Sequence, residues 1–396
     1  MLGVLAAFAT EVWQEEGIGG AALPALSYTT DEGLGMGLVG TLYSYDGETA
    51  PYRASVYALV YVTTRGVHAH AIELDWLNVA HLPLRVTARA ELNVTRSATY
   101  CGVGPDVTCD PVVAAASVAA AGLEGEEATE AERTFYLLRR VQPVLRLDGR
   151  WKLGSGWSLL AGYRLQGSRP GDLKARTPFA HSLYARHFPE GERSMASVLQ
   201  LGVMFDTRDE EPAPSRGVWA EATVRGASRL WGSTMGYVGA NVTVRGYVPL
   251  VGDRLVLADR VVLDGLVGDA PTSELTIPGG TQTLLFYGDM TTGRGVRIGR
   301  YLGRTKVLQQ LELRGSVWRP SLAGIELDLG GLAFTDLGFV GVDASDTRTL
   351  FTRPLPTVGG GLRIGVDHTF IIRADVGVSA MEAWSPYVYL DLDNLF

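Results

Sequence analysis

The stretch Leu84–Thr95, LRVTARAELNVT, decides how the rest of the chain is read. Leu84, Val86, Ala88, Ala90, Leu92 and Val94 interleave with Arg85, Thr87, Arg89, Glu91, Asn93 and Thr95. Successive side chains of an extended strand point to opposite faces, so this is a strand with one apolar and one strongly polar face. Its length matters as much as its pattern. Ordinary strands run about 5–6 residues, whereas a strand tilted across a bilayer needs about 9–11. The same alternation recurs near the other end, where Val358, Leu362, Ile364 and Val366 alternate with Thr357, Arg363 and Asp367. Just beyond, Ile372, Ala374, Val376 and Val378 oppose Arg373, Asp375, Gly377 and Ser379.

Working outward, turn signals divide the chain into sixteen strands: 21–30, 33–46, 52–65, 67–78, 82–97, 133–149, 151–168, 192–209, 215–231, 235–250, 254–268, 306–320, 325–340, 355–367, 369–381 and 386–396. The expected fold is all-β, a transmembrane antiparallel β-barrel. Its short turns, Asp46–Pro51, Val79–His81, Asp148–Arg150, Asp209–Pro214, Val251–Asp253 and Ser321–Gly324, all follow even-numbered strands. The long connections 98–132, 169–191, 269–305 and 341–354 all follow odd-numbered ones. That segregation is what periplasmic turns and extracellular loops require. In the loop 98–132, Ala-rich Val112–Gly122 and Glu-rich Glu124–Glu132 read as a mobile acidic loop, with a short surface helix as the alternative.

Composition agrees. Hydrophobic residues make up 46% of 396, yet no apolar run approaches the ~20 residues of a membrane helix. Leu2–Ala9 and Pro111–Leu123 are both too short and too Ala-rich. Residues 1–20 are assigned as leader or linker and 21–396 as the barrel. Ala7-Phe8-Ala9 has the form of a signal cleavage site, but no Lys or Arg precedes it.

A net charge of −8 argues against a nucleic-acid partner. The two cysteines, Cys101 and Cys109, suit a small local disulfide in an oxidising compartment, with two free thiols as the alternative. The six histidines are scattered, and neither metal-site spacing nor a nucleophile elbow is present, so no metal, cofactor or catalytic residue is assigned. His68 and His70 share a face with Ile72, Leu74 and Trp76 and read as interfacial residues.

Three motifs carry a resemblance to a known family. Pro24–Leu38, PALSYTTDEGLGMGL, and Phe205–Val218, FDTRDEEPAPSRGV, are similar to the first hairpin and the periplasmic turn signature of the BamA/TamA superfamily, also called the bacterial surface antigen family. In the second, Asp206, Arg208, Asp209, Arg216 and Gly217 match the signature. The third is Arg294-Gly295-Val296-Arg297-Ile298-Gly299-Arg300-Tyr301, between strands eleven and twelve, with Val296 where the family has an aromatic. A literal Val244-Arg245-Gly246-Tyr247 falls within strand ten and is read as a decoy. The resemblance implies an extracellular loop folded into the lumen, with Arg294 and Gly295 held against the acidic wall positions Glu312 and Asp336. Strand phase places both carboxylates inside, although wetting of a channel wall would account for them equally. Leu390, Leu392 and Phe396 look like a C-terminal barrel-insertion signal, and Pro24 marks either a strand start or a thin seam between the first and last strands.

The family resemblance implies a bacterial outer-membrane protein that guides polypeptide insertion or passage through a lateral seam or the lumen. The alternative is a passive pore or structural barrel, and a barrel lipase ranks third. No POTRA-like domain is recognised in the sequence. Expected partners are outer-membrane lipid and lipopolysaccharide, the barrel-assembly machinery during insertion, and a separate periplasmic chain.

Overall fold

The computed structural model describes residues 16–49, 51–171, 178–211, 213–282, 284–322, 325–345, 347–366 and 370–392. Among them, sixteen antiparallel strands close into one barrel. In chain order these are β1 (Gly17–Thr29), β2 (Gly33–Tyr45), β3 (Ala54–Thr63), β4 (His68–Trp76), β5 (Leu84–Thr99), β6 (Leu137–Gly154), β7 (Trp157–Pro170) and β8 (Ser194–Asp206). They continue as β9 (Gly217–Ala227), β10 (Tyr237–Val251), β11 (Leu255–Gly268), β12 (Thr305–Trp318), β13 (Ile325–Gly341), β14 (Leu355–Val366), β15 (Phe370–Val378) and β16 (Tyr387–Leu392). Each pairs with its sequence neighbours, and a two-residue strand at Ser321–Leu322 extends the β12–β13 turn.

Burial is inverted relative to a soluble protein. Leu201, Val224, Val238 and Leu362 stand exposed on the outer wall, while Arg260, Asp264, Lys306, Gln310 and Asp336 are buried inside. This is what alternation produces when lipid bathes one face of every strand and a polar lumen the other. No helix is long and apolar enough to cross a membrane among the described residues.

The seam is short. β1 and β2 pair continuously from Gly17 opposite Tyr45 to Thr29 opposite Gly33. Between β1 and β16 the described residues pair at Tyr28 with Leu390 and Thr29 with Tyr389. Two further bonds, from the Thr30 amide to the Val388 carbonyl (3.2 Å) and from the Val388 amide to the Thr30 hydroxyl (3.0 Å), extend the contact at the extracellular end. Pro24 lies in mid-β1, opposite Leu38, and does not mark the strand start. Its missing N–H removes one donor from the middle of the strand.

Three more expectations need correction. β1 starts at Gly17, four residues before the expected position 21. The β6–β7 turn is not at Asp148–Arg150. Those residues are paired in the ladder, Asp148 with Gly162 and Arg150 with Leu160. The chain reverses instead at Gly154-Ser155-Gly156, all with positive φ (98°, 52° and 82°), a conformation in which glycine carries no Cβ penalty. The loop after β5 is not a mobile acidic loop but holds two helices, α1 (Pro111–Ala120) and α2 (Gly125–Thr134). Asp110 caps α1 through the Val112 amide (2.8 Å), and Pro111 opens it. Glu126 and Glu127 sit in the first turn of α2 and Arg133 in its last, complementing the helix dipole. Ala114, Val118, Ala131, Phe135 and Tyr136 form the small core between these helices, and Cys101 packs into it. Cys101 and Cys109 are joined in a disulfide, their Cα atoms 5.4 Å apart.

Val244, at the middle of β10, faces outward. Replacing it with Arg is expected to lower stability by about 2–4 kcal/mol, the cost of a cation at the bilayer midplane. Reversible denaturant unfolding from lipid vesicles checks this, and an unchanged midpoint would place Val244 away from lipid.

Candidate functional site: the loop inside the lumen

The connection between β11 and β12, residues 269–304, folds down into the barrel and is fixed there by wall side chains. Arg294 is fully buried. Its guanidinium pairs with Asp336 on β13 through Nη2 (3.0 Å) and Nε (3.1 Å), with Glu312 on β12 through Nη1 (2.7 Å), and with Asp375 on β15 (3.4 Å). The Arg294 backbone amide also donates to Asp336 (3.0 Å), and the guanidinium lies 3.4 Å over the Phe334 ring centroid. Two parallel N–H···O bonds to one carboxylate fix orientation as well as distance. Around this centre, Arg314 neutralises Glu312 (2.8 Å) and Arg363 neutralises Asp375 (2.6 Å). A fully paired network of this kind is what permits charges to lie so deep.

Gly295 follows with φ 102°, and its amide donates to the Tyr389 hydroxyl on β16 (3.0 Å). A Cβ there would sit 2.7 Å from the Gly377 carbonyl carbon, and one at Gly377 would sit 2.6 Å from the Arg294 carbonyl carbon. The loop and β15 thus touch backbone to backbone, which is the physical need for glycine at both positions. Val296 is buried where the family resemblance expects an aromatic. The rings come instead from Phe286, Tyr287 and Tyr301, packed against Leu308 and Val340.

The loop also reaches both banks of the seam. The Ile298 amide donates to Asp31 in the β1–β2 turn (2.9 Å). The Arg297 amide donates to Glu382 in the β15–β16 turn (3.2 Å), and Arg300 pairs with the same carboxylate (2.7 Å). Burial pushes the Asp31 carboxyl up to about 6, against the Ile298 hydrogen bond and the charge of Arg297, which pull it down. At its start the loop is tied by Glu274 to Arg164 on β7 (2.7 Å), by the Gly279 amide to Asp264 on β11 (2.8 Å), and by the Thr281 hydroxyl to Glu221 on β9 (2.6 Å).

The structure therefore brings Arg294, Gly295, Glu312 and Asp336 together. Sequence reasoning missed Asp375, Tyr389, Asp31 and Glu382. The inward phase of Asp375 was legible in β15, but its height beside Arg294 was not. Arg245 of the decoy motif lies in β10, stacked 4.5 Å from the Trp219 centroid and bonded to Gln282.

The turn signature forms a separate knot at the opposite rim. Arg208 grips Asp206 with two bonds (3.0 and 2.9 Å). The Asp209 carboxylate accepts from the amides of Glu210, Ser215 and Arg216 and from the Ser215 hydroxyl. Burial alone would raise Asp209, and these bonds outweigh it, holding the carboxyl below its usual range. Gly217 has φ 105°, packed against Thr207 and Arg208. Of the C-terminal residues, Leu390 faces outward, Leu392 ends β16, and Phe396 lies outside the described residues. Among the described residues no group of His, Cys, Asp and Glu is arranged to hold a metal ion. His68 lies against His70 (ring centroids 6.2 Å apart) on the face that also carries exposed Ile72, Leu74 and Trp76.

A sixteen-stranded barrel with a long extracellular loop anchored inside by a buried arginine is the architecture of outer-membrane assembly and translocation barrels. The chain belongs to the Omp85 superfamily, whose domain matches residues 126–383. It is similar in fold to BamA from Haemophilus ducreyi lacking POTRA domains 1–3, at 12% identity over 94% of this chain and 70% of that one (TM-score 0.56). It is also similar to CdiB from Escherichia coli, at 11% identity over 96% of this chain and 63% of that one (TM-score 0.60). CdiB from Acinetobacter baumannii matches at 11% identity over 96% of this chain and 60% of that one (TM-score 0.51). No curated protein matches the chain significantly. As an Omp85 barrel it is an outer-membrane protein with a general role in assembly or translocation.

Replacing Arg294 with Ala takes from Asp336 its arginine and from Glu312 and Asp375 one partner each, and is expected to cost about 3–5 kcal/mol, the scale for breaking a buried ion pair. Heat-modifiability on gels should shift to lower temperature, and the loop 269–304 should become protease-sensitive. No change in either would show that the network does not hold the loop.

Proposed function

We propose that the barrel guides polypeptide into or across the outer membrane, using the β1–β16 seam or the lumen as its path and the inward loop as a latch. The observation that carries this reading is that one loop grips both banks of the β1–β16 seam, at which the described residues pair at Tyr28–Leu390 and Thr29–Tyr389. Asp31 and Glu382, on either side, receive successive amides of the same segment, and Tyr389 on β16 receives a third. Releasing the loop would remove bonds from both edges at once, which makes it a natural control on opening. In this reading Arg294, Gly295, Glu312 and Asp336 are the latch. Asp206, Arg208, Asp209, Arg216 and Gly217 shape a rigid periplasmic turn, and Leu390, Leu392 and Phe396 form the signal by which the chain is itself inserted. Partners are outer-membrane lipid and lipopolysaccharide, the assembly machinery, and a periplasmic chain that delivers clients. No enzymatic step is assigned.

The second reading is a passive or structural barrel. The density of loop-to-wall bonds argues against an open pore, because the loop lies across the lumen beside cavities that include ones of about 470 and 320 Å³.

Cysteines at Tyr28 and Leu390, directly paired across the seam, give the discriminating experiment in a background with Cys101 and Cys109 replaced. If clients use the seam, oxidation should reproduce the loss of outer-membrane proteins seen on depleting the protein, and reduction should restore them. A census unaltered by depletion would leave the passive barrel. A census altered by depletion but not by the tether would move the path to the lumen.

A further inference from the structure

Many of the inward-facing arginines in this barrel pair with acids, while Arg245 and Arg260 are bonded to Gln282 and Gln310. Arg89 pairs with Glu73 (2.9 Å), Arg146 with Asp148 (2.5 Å), Arg164 with Glu274 (2.7 Å) and Arg225 with Asp264 (2.7 Å). Arg140 departs from that pattern. It points inward from β6, beside Thr95 on β5 and Pro170 on β7, and is 8% exposed. Among the described residues it forms no ion pair, and its Nε is buried without a hydrogen-bond partner. Glu192, whose charge it feels, forms no ion pair with it and is taken by the Thr272 amide (2.9 Å) and hydroxyl.

Arg140 lines a cavity of about 320 Å³ in the extracellular half of the lumen, between β4–β7 and the inward loop. Thr99, Gln142, Gln166 and Thr272 share this lining, and the Thr99 hydroxyl is likewise buried with no partner. Glu32 and Asp289 border the cavity from the β1–β2 turn and the loop, and burial raises both carboxyls, Glu32 to about 7. A guanidinium stays charged at any physiological pH, and an unpaired buried charge is costly to hold. Its planar fork of donors matches carboxylate and phosphate oxygens. Two unsatisfied donors at one cavity therefore describe a complement to something that brings oxygens and negative charge.

We propose that this cavity is an oxyanion-binding site, in which Arg140 takes a carboxylate or phosphate group and the Thr99 hydroxyl donates to it. The site stands apart from the Arg294 latch and does not depend on whether the barrel translocates polypeptide.

The test uses the full barrel, purified in detergent, with inorganic phosphate and acetate as probes at ionic strength matched with chloride. A ligand that binds only the folded barrel raises its transition temperature. At least one probe should raise the heat-modifiability transition of the wild type by several degrees. Arg140→Leu should abolish the response, and Thr99→Val should demand about tenfold more anion. Phosphate alone acting would assign a phosphate site, and acetate alone a carboxylate site. Without probe, Arg140→Leu should melt at or above the wild-type temperature, because it removes an uncompensated charge. Three results would overturn the proposal: no response in the wild type, an equal response in Arg140→Leu, or a lower transition for Arg140→Leu in chloride alone. If Arg140→Leu fails to fold, an unchanged response in Thr99→Val overturns it instead.

Discussion

A loop that enters a barrel brings backbone amides away from bulk water, and each must find an acceptor or cost free energy. The wall cannot supply backbone acceptors, since its own are used between strands. Side chains supply them instead. The amides of Gly279, Thr281, Arg294, Gly295, Arg297 and Ile298 go to Asp264, Glu221, Asp336, Tyr389, Glu382 and Asp31. Carboxylates placed to receive amides carry charge, and that charge then requires arginines and lysines. Arg225 and Lys306 at Asp264, and Arg314 and Arg363 beside the Arg294 cluster, follow from this need. The buried ion pairs are thus the consequence of holding a loop in the lumen, and Arg294 is where loop and wall charges meet.

The same constraint ties the loop to the seam. β1 cannot be held along its length by the described part of β16, and Pro24 removes one donor from its middle. Stability at that edge comes from elements flanking the ladder: the β1–β2 turn through Asp31 and the β15–β16 turn through Glu382. Both are fastened to one segment, 297–300, that is anchored three residues earlier at Arg294. Strain at the seam therefore has a direct mechanical route to the ion-pair centre through a few bonded residues.

Much of this was legible in the sequence, for a physical reason. Alternation records which face of a strand meets lipid, and loop length records which rim it lies on, so strand number, orientation and the inward phase of Glu312 and Asp336 could be read directly. Local turn chemistry was less dependable. Asp148-Gly149 is a good turn pair in isolation, yet the ladder runs through it because Leu145 and Leu147 keep the outward phase and Gly154-Ser155-Gly156 offers an easier reversal. The helices of the β5–β6 loop could be read only as an alternative to a mobile loop, because they fold on a local core that the disulfide staples. Asp375, Tyr389, Asp31 and Glu382 were missed for a deeper reason. Which inward residues share a height depends on strand stagger around the closed barrel, and no stretch of sequence records it.

Filling one side of the lumen leaves the other side to define a path. The cavity of about 470 Å³ on the β4–β8 side is lined by Arg85, Arg89, Arg146 and Arg150 together with Glu73, Glu91 and Asp148. Arg85 is matched by Asp75 (2.8 Å), Arg89 by Glu73 and Glu91, Arg146 by Asp148, and Arg150 faces Asp206 at 4.0 Å. A wall whose charges are already paired offers little to a passing group of either sign, so a chain moving along it would be hydrated without being held. Arg140 stands in the next chamber, and among the described residues it forms no ion pair. On the translocation reading, such an arrangement confines attraction to one place and leaves the remaining surface slippery. An extended polypeptide needs that division, because uniform attraction along a path would stall it as surely as uniform repulsion would exclude it.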